Sequence, residues 1–228
     1  VLPLFKQPSV EVFHVRVDEP VTTVTNIILA AICFYAFFRI AQPGGAEKIR
    51  GYFKYYFLTL GLGALFGGLL GHAFLYSLSP AWKLLSWVLI LFSVAILAHA
   101  LAEMARPVIK PAFCRLVRWL NLLILFTALL VTSLTLEFSA VKYYSIFGMV
   151  VIVGSMSYIL YRRTGNRAMV MLLMAVGIGS VSAVVFATGW GVSPWFNHKD
   201  ISHLIISISV LFIYKGAARI LDLGTDLS

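Results

Sequence analysis

Charge is scarce in this sequence: 12% of its 228 residues are Asp, Glu, Lys or Arg, against roughly 25% in soluble domains. A water-soluble fold of this length needs more polar surface than that, so the solvent around the folded chain is lipid. Cysteine is scarce too. The two present, Cys33 and Cys114, fall in a helix interior and at a helix start, without CxxC spacing. A disulfide framework and a cysteine metal site are both excluded. Eight prolines and 17 glycines are too few and too scattered for a low-complexity or collagen-like chain. Residues Val1 to Pro20 lack the apolar core of a signal peptide, and none is expected there. What the chain has in excess is apolar residues, 61% of the total, with a mean hydropathy of +0.93.

Those residues come in long runs. About 20 apolar residues span the hydrocarbon layer as a helix, and in lipid a helix satisfies its backbone internally. Seven runs qualify: Pro20–Ala41, Gly51–Leu78, Ala81–Ala105, Ala112–Glu137, Val141–Arg163, Arg167–Trp190 and His198–Ile220. Turn residues punctuate them, as in Gln42-Pro43-Gly44-Gly45, Ser79-Pro80, Arg106-Pro107 and Thr164-Gly165-Asn166. The spacing therefore predicts an all-α integral membrane bundle of seven transmembrane helices. Residues 1–19 form an extracytoplasmic segment, 20–220 the transmembrane domain, and 221–228 a cytoplasmic tail. Short connections make successive helices antiparallel neighbours.

The net charge of +9 is distributed as topology, not as a nucleic-acid surface. Thirteen of the 18 Lys and Arg residues fall on one side of the spans and five on the other. The positive-inside rule places the richer side in the cytoplasm, which puts the N-terminus outside.

Polar residues inside a membrane need a reason. One group gathers at the outer pole: Glu19 at the start of the first helix, His72 near the end of the second, and His198, Asp200 and His203 at the start of the seventh. At about 100° per residue, Asp200, His203 and Ser207 share a stripe, as do Glu19, Thr22 and Asn26. His198 faces elsewhere. Gly63, Gly67 and Gly71 repeat every fourth residue and form a close-contact face, with Gly68 and His72 beside it. Converging histidines and a carboxylate suit zinc. Plainer roles compete: Glu19 and Asp200 as helix caps, His198 and Lys199 as solvent-exposed interface residues. His99 and Glu103, one turn apart near the inner end of the third helix, read as a hydrogen-bonded or salt-bridged set.

This arrangement resembles the superfamily that joins alkaline ceramidases with the progestin and adipoQ receptors. The matching pieces are Glu19–Asn26 (EPVTTVTN), Gly68–His72 (GLLGH) and Asn197–His203 (NHKDISH). They are also similar to an uncharacterised group of bacterial seven-helix proteins. The resemblance implies zinc on His72 and His203 and hydrolysis of a lipid amide. Gly68 stands where that superfamily has serine, and Lys199 where it has the first histidine of HxxxH. The third ligand is then either Asp200 or His198.

The reading that follows is a zinc-dependent hydrolase of a lipid amide or ester, in which metal-bound water attacks the carbonyl and Glu19 or Asp200 moves protons. Its rivals are a non-enzymatic membrane subunit or lipid-binding receptor, and a haem protein with His72 and His203 as axial ligands. Membrane lipids are the expected partners, in a bacterial plasma membrane; a protein partner or a homo-oligomer is left open. The charge asymmetry predicts that a reporter fused after Ser228 reads cytoplasmic and that a tag before Val1 is labelled from outside. An externally labelled C-terminus overturns the orientation.

Overall fold

The protein is described from a computed structural model, which covers residues 7–40 and 47–223, with side chains as far as Leu221. Lys6, the Gln42-Pro43-Gly44-Gly45 turn and the tail after Leu223 lie outside the described residues. Among the described residues seven long helices form: α1 (Pro20–Ile40), α2 (Glu47–Ala73), α3 (Pro80–Met104), α4 (Pro111–Thr135), α5 (Ser139–Thr164), α6 (Ala168–Thr188) and α7 (His198–Leu223). All seven are long and apolar enough to cross a membrane.

Local chemistry sets their ends. Ser79 accepts from the Ala81 amide ahead of Pro80, and Pro111 opens α4, a position where its missing N–H costs nothing. Gly165 and Gly189 take φ of 67° and 70°, the left-handed geometry that stops a helix. For that reason α6 ends at Thr188, short of the expected Trp190. Helix α2 departs most, starting at Glu47 rather than Gly51 and ending at Ala73 rather than Leu78, where a short 3₁₀ turn (Leu75–Ser77) replaces it.

Two features have no counterpart in the hydropathy pattern. A two-stranded hairpin, β1 (Val10–Val12) and β2 (Val15–Val17), precedes α1, with Phe13 and His14 at its tip. Both tip residues have positive φ, the backbone of a tight two-residue hairpin turn. The second feature is π-helical geometry within α2 (Gly67–Ala73) and within α5 (Phe147–Gly154). The Phe74 amide closes the first by donating to the Leu69 carbonyl. A π turn carries an extra residue and turns every side chain beyond it.

The helices pack in chain order, and α7 returns to lie against α1 as well as α6. Helix α3 is half buried, against α2, α4 and α5, whereas α4 is the most exposed. Small residues set the close contacts. A Cβ at Gly61 would meet Cys33 of α1, and one at Gly63 would meet Ile90, Leu89 and the Ser86 carbonyl of α3. Ser86 also donates to the Gly63 carbonyl at 2.7 Å. The glycine face of α2 therefore meets α3, as its spacing suggested.

A buried polar layer fastens α3, α4 and α5. Tyr144 donates to Asn121 Oδ1 at 2.8 Å, while Asn121 Nδ2 donates to the Ala95 carbonyl at 3.2 Å and lies 3.1 Å from His99 Nδ1. His99 thus belongs to this layer and not with Glu103, which instead accepts from Lys48, Arg106 and Arg118.

Gly148 of α5 lies flat against Val94 of α3, and a Cβ there would collide with Cγ1 of that stiff side chain. Gly148→Ala is expected to lower stability by about 1–3 kcal/mol. The double variant with Val94→Ala should lose less than the two single variants together. Thermal unfolding in detergent measures both, and additive losses would show that the two residues do not meet.

Candidate functional site

Glu19 is placed by backbone geometry that few side-chain-bearing residues adopt, with φ at +44°. Left-handed backbone outside glycine costs energy and clusters at functional sites. Its carbonyl accepts the Thr23 amide at 2.9 Å and starts α1, and the preceding Asp18 amide donates to the Ala73 carbonyl at 3.0 Å, tying this corner to the end of α2.

The Glu19 side chain does not cap α1, as one reading of Asp18-Glu19-Pro20 expected. It crosses to two other helices. His72 Nδ1 donates to Oε2 at 2.5 Å, and Lys199 Nζ donates to Oε1 at 2.6 Å. Burial pushes this carboxyl upward, but His72 and Lys199 outweigh it and hold the group at about 2. It is therefore ionised at any physiological pH. An ionised carboxylate only accepts, so His72 carries a proton on Nδ1, and the neutral ring would leave the Nε2 lone pair uncommitted.

His203 lies beside this pair, its ring centroid 6.3 Å from that of His72 and tilted by 70°. The sequence brought these two histidines to one place, and so does the fold. Their tautomers differ, however. Asn26 Nδ2 donates to the Thr22 carbonyl at 3.0 Å, which fixes the amide, and the same nitrogen faces His203 Nδ1 at 3.1 Å. Thr25 Oγ1 stands 3.3 Å from the same ring atom. His203 Nδ1 is thus an acceptor, and the neutral ring carries its proton on Nε2.

Asp200 does not join them. It is fully buried, and both oxygens are occupied: Oδ1 accepts from Thr22 Oγ1 at 2.7 Å, and Oδ2 accepts from the Asn197 amide at 2.7 Å and from Gln7 Nε2 at 3.1 Å. Asn197 Oδ1 in turn accepts from the Lys199 amide at 2.9 Å. This reciprocal pair caps α7. Gln7 extends the tie, because its Oε1 accepts from the amides of Val21 and Thr22 at the start of α1. The shared stripe was right, but Asp200 lies one turn above His203 and serves the junction of α1 and α7.

His198 is likewise apart. It is buried rather than solvent-exposed, its ring lies 5.5 Å from that of Phe186, and its Nδ1 has no hydrogen-bond partner. Lys199, also expected at the solvent interface, is an ion-pair partner instead. Gln7 went unnoticed because a lone polar residue 193 positions from Asp200 carries no local signal. Thr22 and Asn26 were marked by their stripe, and Thr25 was not.

A zinc ion requires lone pairs converging on one point. His72 meets that requirement in form, with a carboxylate behind Nδ1 and Nε2 available. His203 does not, since its Nδ1 is taken by Asn26 and its Nε2 carries a proton. Asp200 is committed elsewhere, and the Lys199 ammonium is already paired with the Glu19 carboxylate at 2.6 Å. Among the described residues no three His, Cys, Asp or Glu side chains are grouped to hold a metal. The donor set, as arranged, does not fit the ion.

The pattern of a family of unknown function, DUF6962, matches residues 21–222. The chain belongs to that family. The match takes in all seven helices and begins just after Glu19. No curated protein and no solved structure matches the chain.

Because Asp200 caps and ties, Asp200→Ala should lower stability by about 2–3 kcal/mol, by the same amount in chelator as in added zinc. A loss that appears only when zinc is present would make it a ligand.

Proposed function

We propose that the chain is an integral membrane protein, with the Glu19 pole outside and the basic pole cytoplasmic, that binds one acyl chain of a membrane amphiphile beneath the ionic cluster. The resemblance to bacterial seven-helix proteins supports a bacterial plasma membrane, and the 13-to-5 distribution of basic residues supports the orientation.

The observation that carries the reading is a cavity of about 250 Å³ inside the bundle, walled by residues such as Leu60, Ile90, Met149, Phe186 and Ile206. Asn26 and His203 line it where it meets the polar cluster. On α7 its wall runs from Ser202 to Ile213, about 16 Å at 1.5 Å per residue. The volume lies below the usual 300–1,000 Å³ of small-molecule sites. It is long and small, which suits one hydrocarbon chain. Ile146 and Val150 belong to the wall and are exposed on the bundle surface as well, so a chain could enter from the bilayer without crossing water. Most of the wall's hydroxyls are spent on backbone carbonyls: Ser93, Ser180, Ser182, Ser202 and Ser209 each donate to one. What remains inside is predominantly apolar.

A second reading keeps one specific support. His72, oriented by Glu19, has the form of a general base, and an ester or amide held beneath it would be placed for attack by water. This is the lipid-hydrolase reading. The hydrogen bonding of His203 and Asp200 weighs against the metal and favours a binding or receptor-like role.

The test is composition. Purified without chelator in mild detergent, the protein should retain about one lipid chain per polypeptide, read by mass spectrometry after solvent extraction. Ile206→Trp, which fills the cavity, should release it, whereas Leu123→Trp on the exposed face of α4 should not. Equal lipid in both variants overturns the binding site. Stoichiometric zinc lost in His72→Ala would favour the hydrolase, and a Soret band the haem protein.

A further inference from the structure

Two groups among the cations of the basic pole have contrasting surroundings. Lys48, Arg106 and Arg118 all donate to Glu103, at 2.7, 2.8 and 2.9 Å. Lys110, Arg162 and Arg163 instead border a cleft of about 390 Å³ between the α3–α4 turn and the last turn of α5, and among the described residues no carboxylate lines it. Its remaining walls are Val108, Ile109, Ile159 and the Tyr158 side chain. Arg162 is held in place, since its Nη1 donates to the Tyr158 hydroxyl at 3.1 Å and its guanidinium lies 5.9 Å from the ring centroid.

Basic residues in the last turn of a helix are stabilised by its dipole, and that alone accounts for Arg162 and Arg163. It does not account for Lys110. This residue is the N-cap of α4, with no side-chain cap bond, where the dipole disfavours a cation. An uncapped helix start, a lysine on it and two arginines facing it favour an anion. The apolar walls specify more, because a free phosphate has no use for Val108, Ile109 and Ile159. An amphiphile whose anionic group sits at the helix ends, with hydrocarbon beginning below, uses both.

We infer that this cleft binds the headgroup of an anionic phospholipid from the leaflet at the basic pole. Its phosphate lies among Lys110, Arg162 and Arg163, and the start of an acyl chain rests on Val108, Ile109 and Ile159. The inference rests on the reading that the helices cross a membrane, and it is independent of the cavity beneath His203. Basic pockets between membrane helices recognise lipid headgroups by the same physics.

The experiment uses the full chain in zwitterionic detergent micelles titrated with phosphatidylglycerol and read by thermal unfolding, since a ligand of the folded state raises the midpoint. The wild-type midpoint should rise with phosphatidylglycerol and not with phosphatidylcholine. The triple variant Lys110→Gln, Arg162→Gln, Arg163→Gln should bind about 100-fold more weakly and lose most of the rise. A control with the same charge loss elsewhere at that pole, Arg115→Gln, Arg167→Gln, Arg219→Gln, should keep it. Should the cleft triple fail to fold, Lys110→Gln alone must reduce the rise, and Arg163→Lys must retain it. Three results overturn the proposal: an equal loss in the control, which means diffuse attraction; an equal rise with inorganic phosphate, which means no lipid is needed; and no rise at all. Failure of the chain to enter micelles as a folded monodisperse protein would instead overturn the membrane reading beneath it.

Discussion

One carboxylate holds three helices together. Glu19 sits where α1 begins, its Oε2 on His72 of α2 and its Oε1 on Lys199 of α7. Buried charge is costly unless it is paired and hydrogen-bonded, and here both oxygens are engaged by groups on different helices. The arrangement fixes more than position. It sets the His72 tautomer, holds Lys199 inward, and demands the left-handed backbone at Glu19 that sends α1 off in its direction. Asp200 repeats the logic one turn away, spending its oxygens on α1 and on the start of its own helix. Two acidic residues thus close the ring of helices at one pole, and Glu103 gathers three cations at the other.

The helices were legible because lipid enforces simple arithmetic: about 20 apolar residues per crossing, with every backbone group satisfied within the segment. The meeting of His72 with His203 was legible because helix periodicity fixes a face. What periodicity cannot fix is depth or rotamer. Asp200 and His203 share a stripe, yet one turn of rise separates a cap from a cavity wall. The π geometry between Gly67 and Ala73 was illegible for a related reason, since the apolar pattern runs through it unchanged. Gln7 and Lys199 were illegible because their partners lie far off in sequence, and a polar residue at a membrane boundary looks the same paired or solvated.

The histidine pair shows how little separates two chemistries. His72 is set up as metal-binding histidines are, with a carboxylate behind its protonated nitrogen. His203 is turned the other way by one amide, that of Asn26. The ammonium of Lys199 then supplies the positive charge that balances Glu19. The carboxylate is thereby paired with protein groups alone, as a half-buried charge requires.

The order in which the chain is made gives that closure a further meaning. Gln7 and Glu19 leave the ribosome before Lys199 and Asp200, which follow them by some 180 to 193 positions. Until α7 emerges, the Glu19 carboxylate lacks its lysine, and the amides that open α1 have only Gln7 to cover them. Most contacts in the seven-helix ring join neighbours along the chain, and they cost little loop closure. The junction of α1 with α7 is the exception, and it waits for the entire bundle. A chain truncated before residue 198 would leave Glu19 with His72 as its one partner and Thr22 without the Asp200 carboxylate.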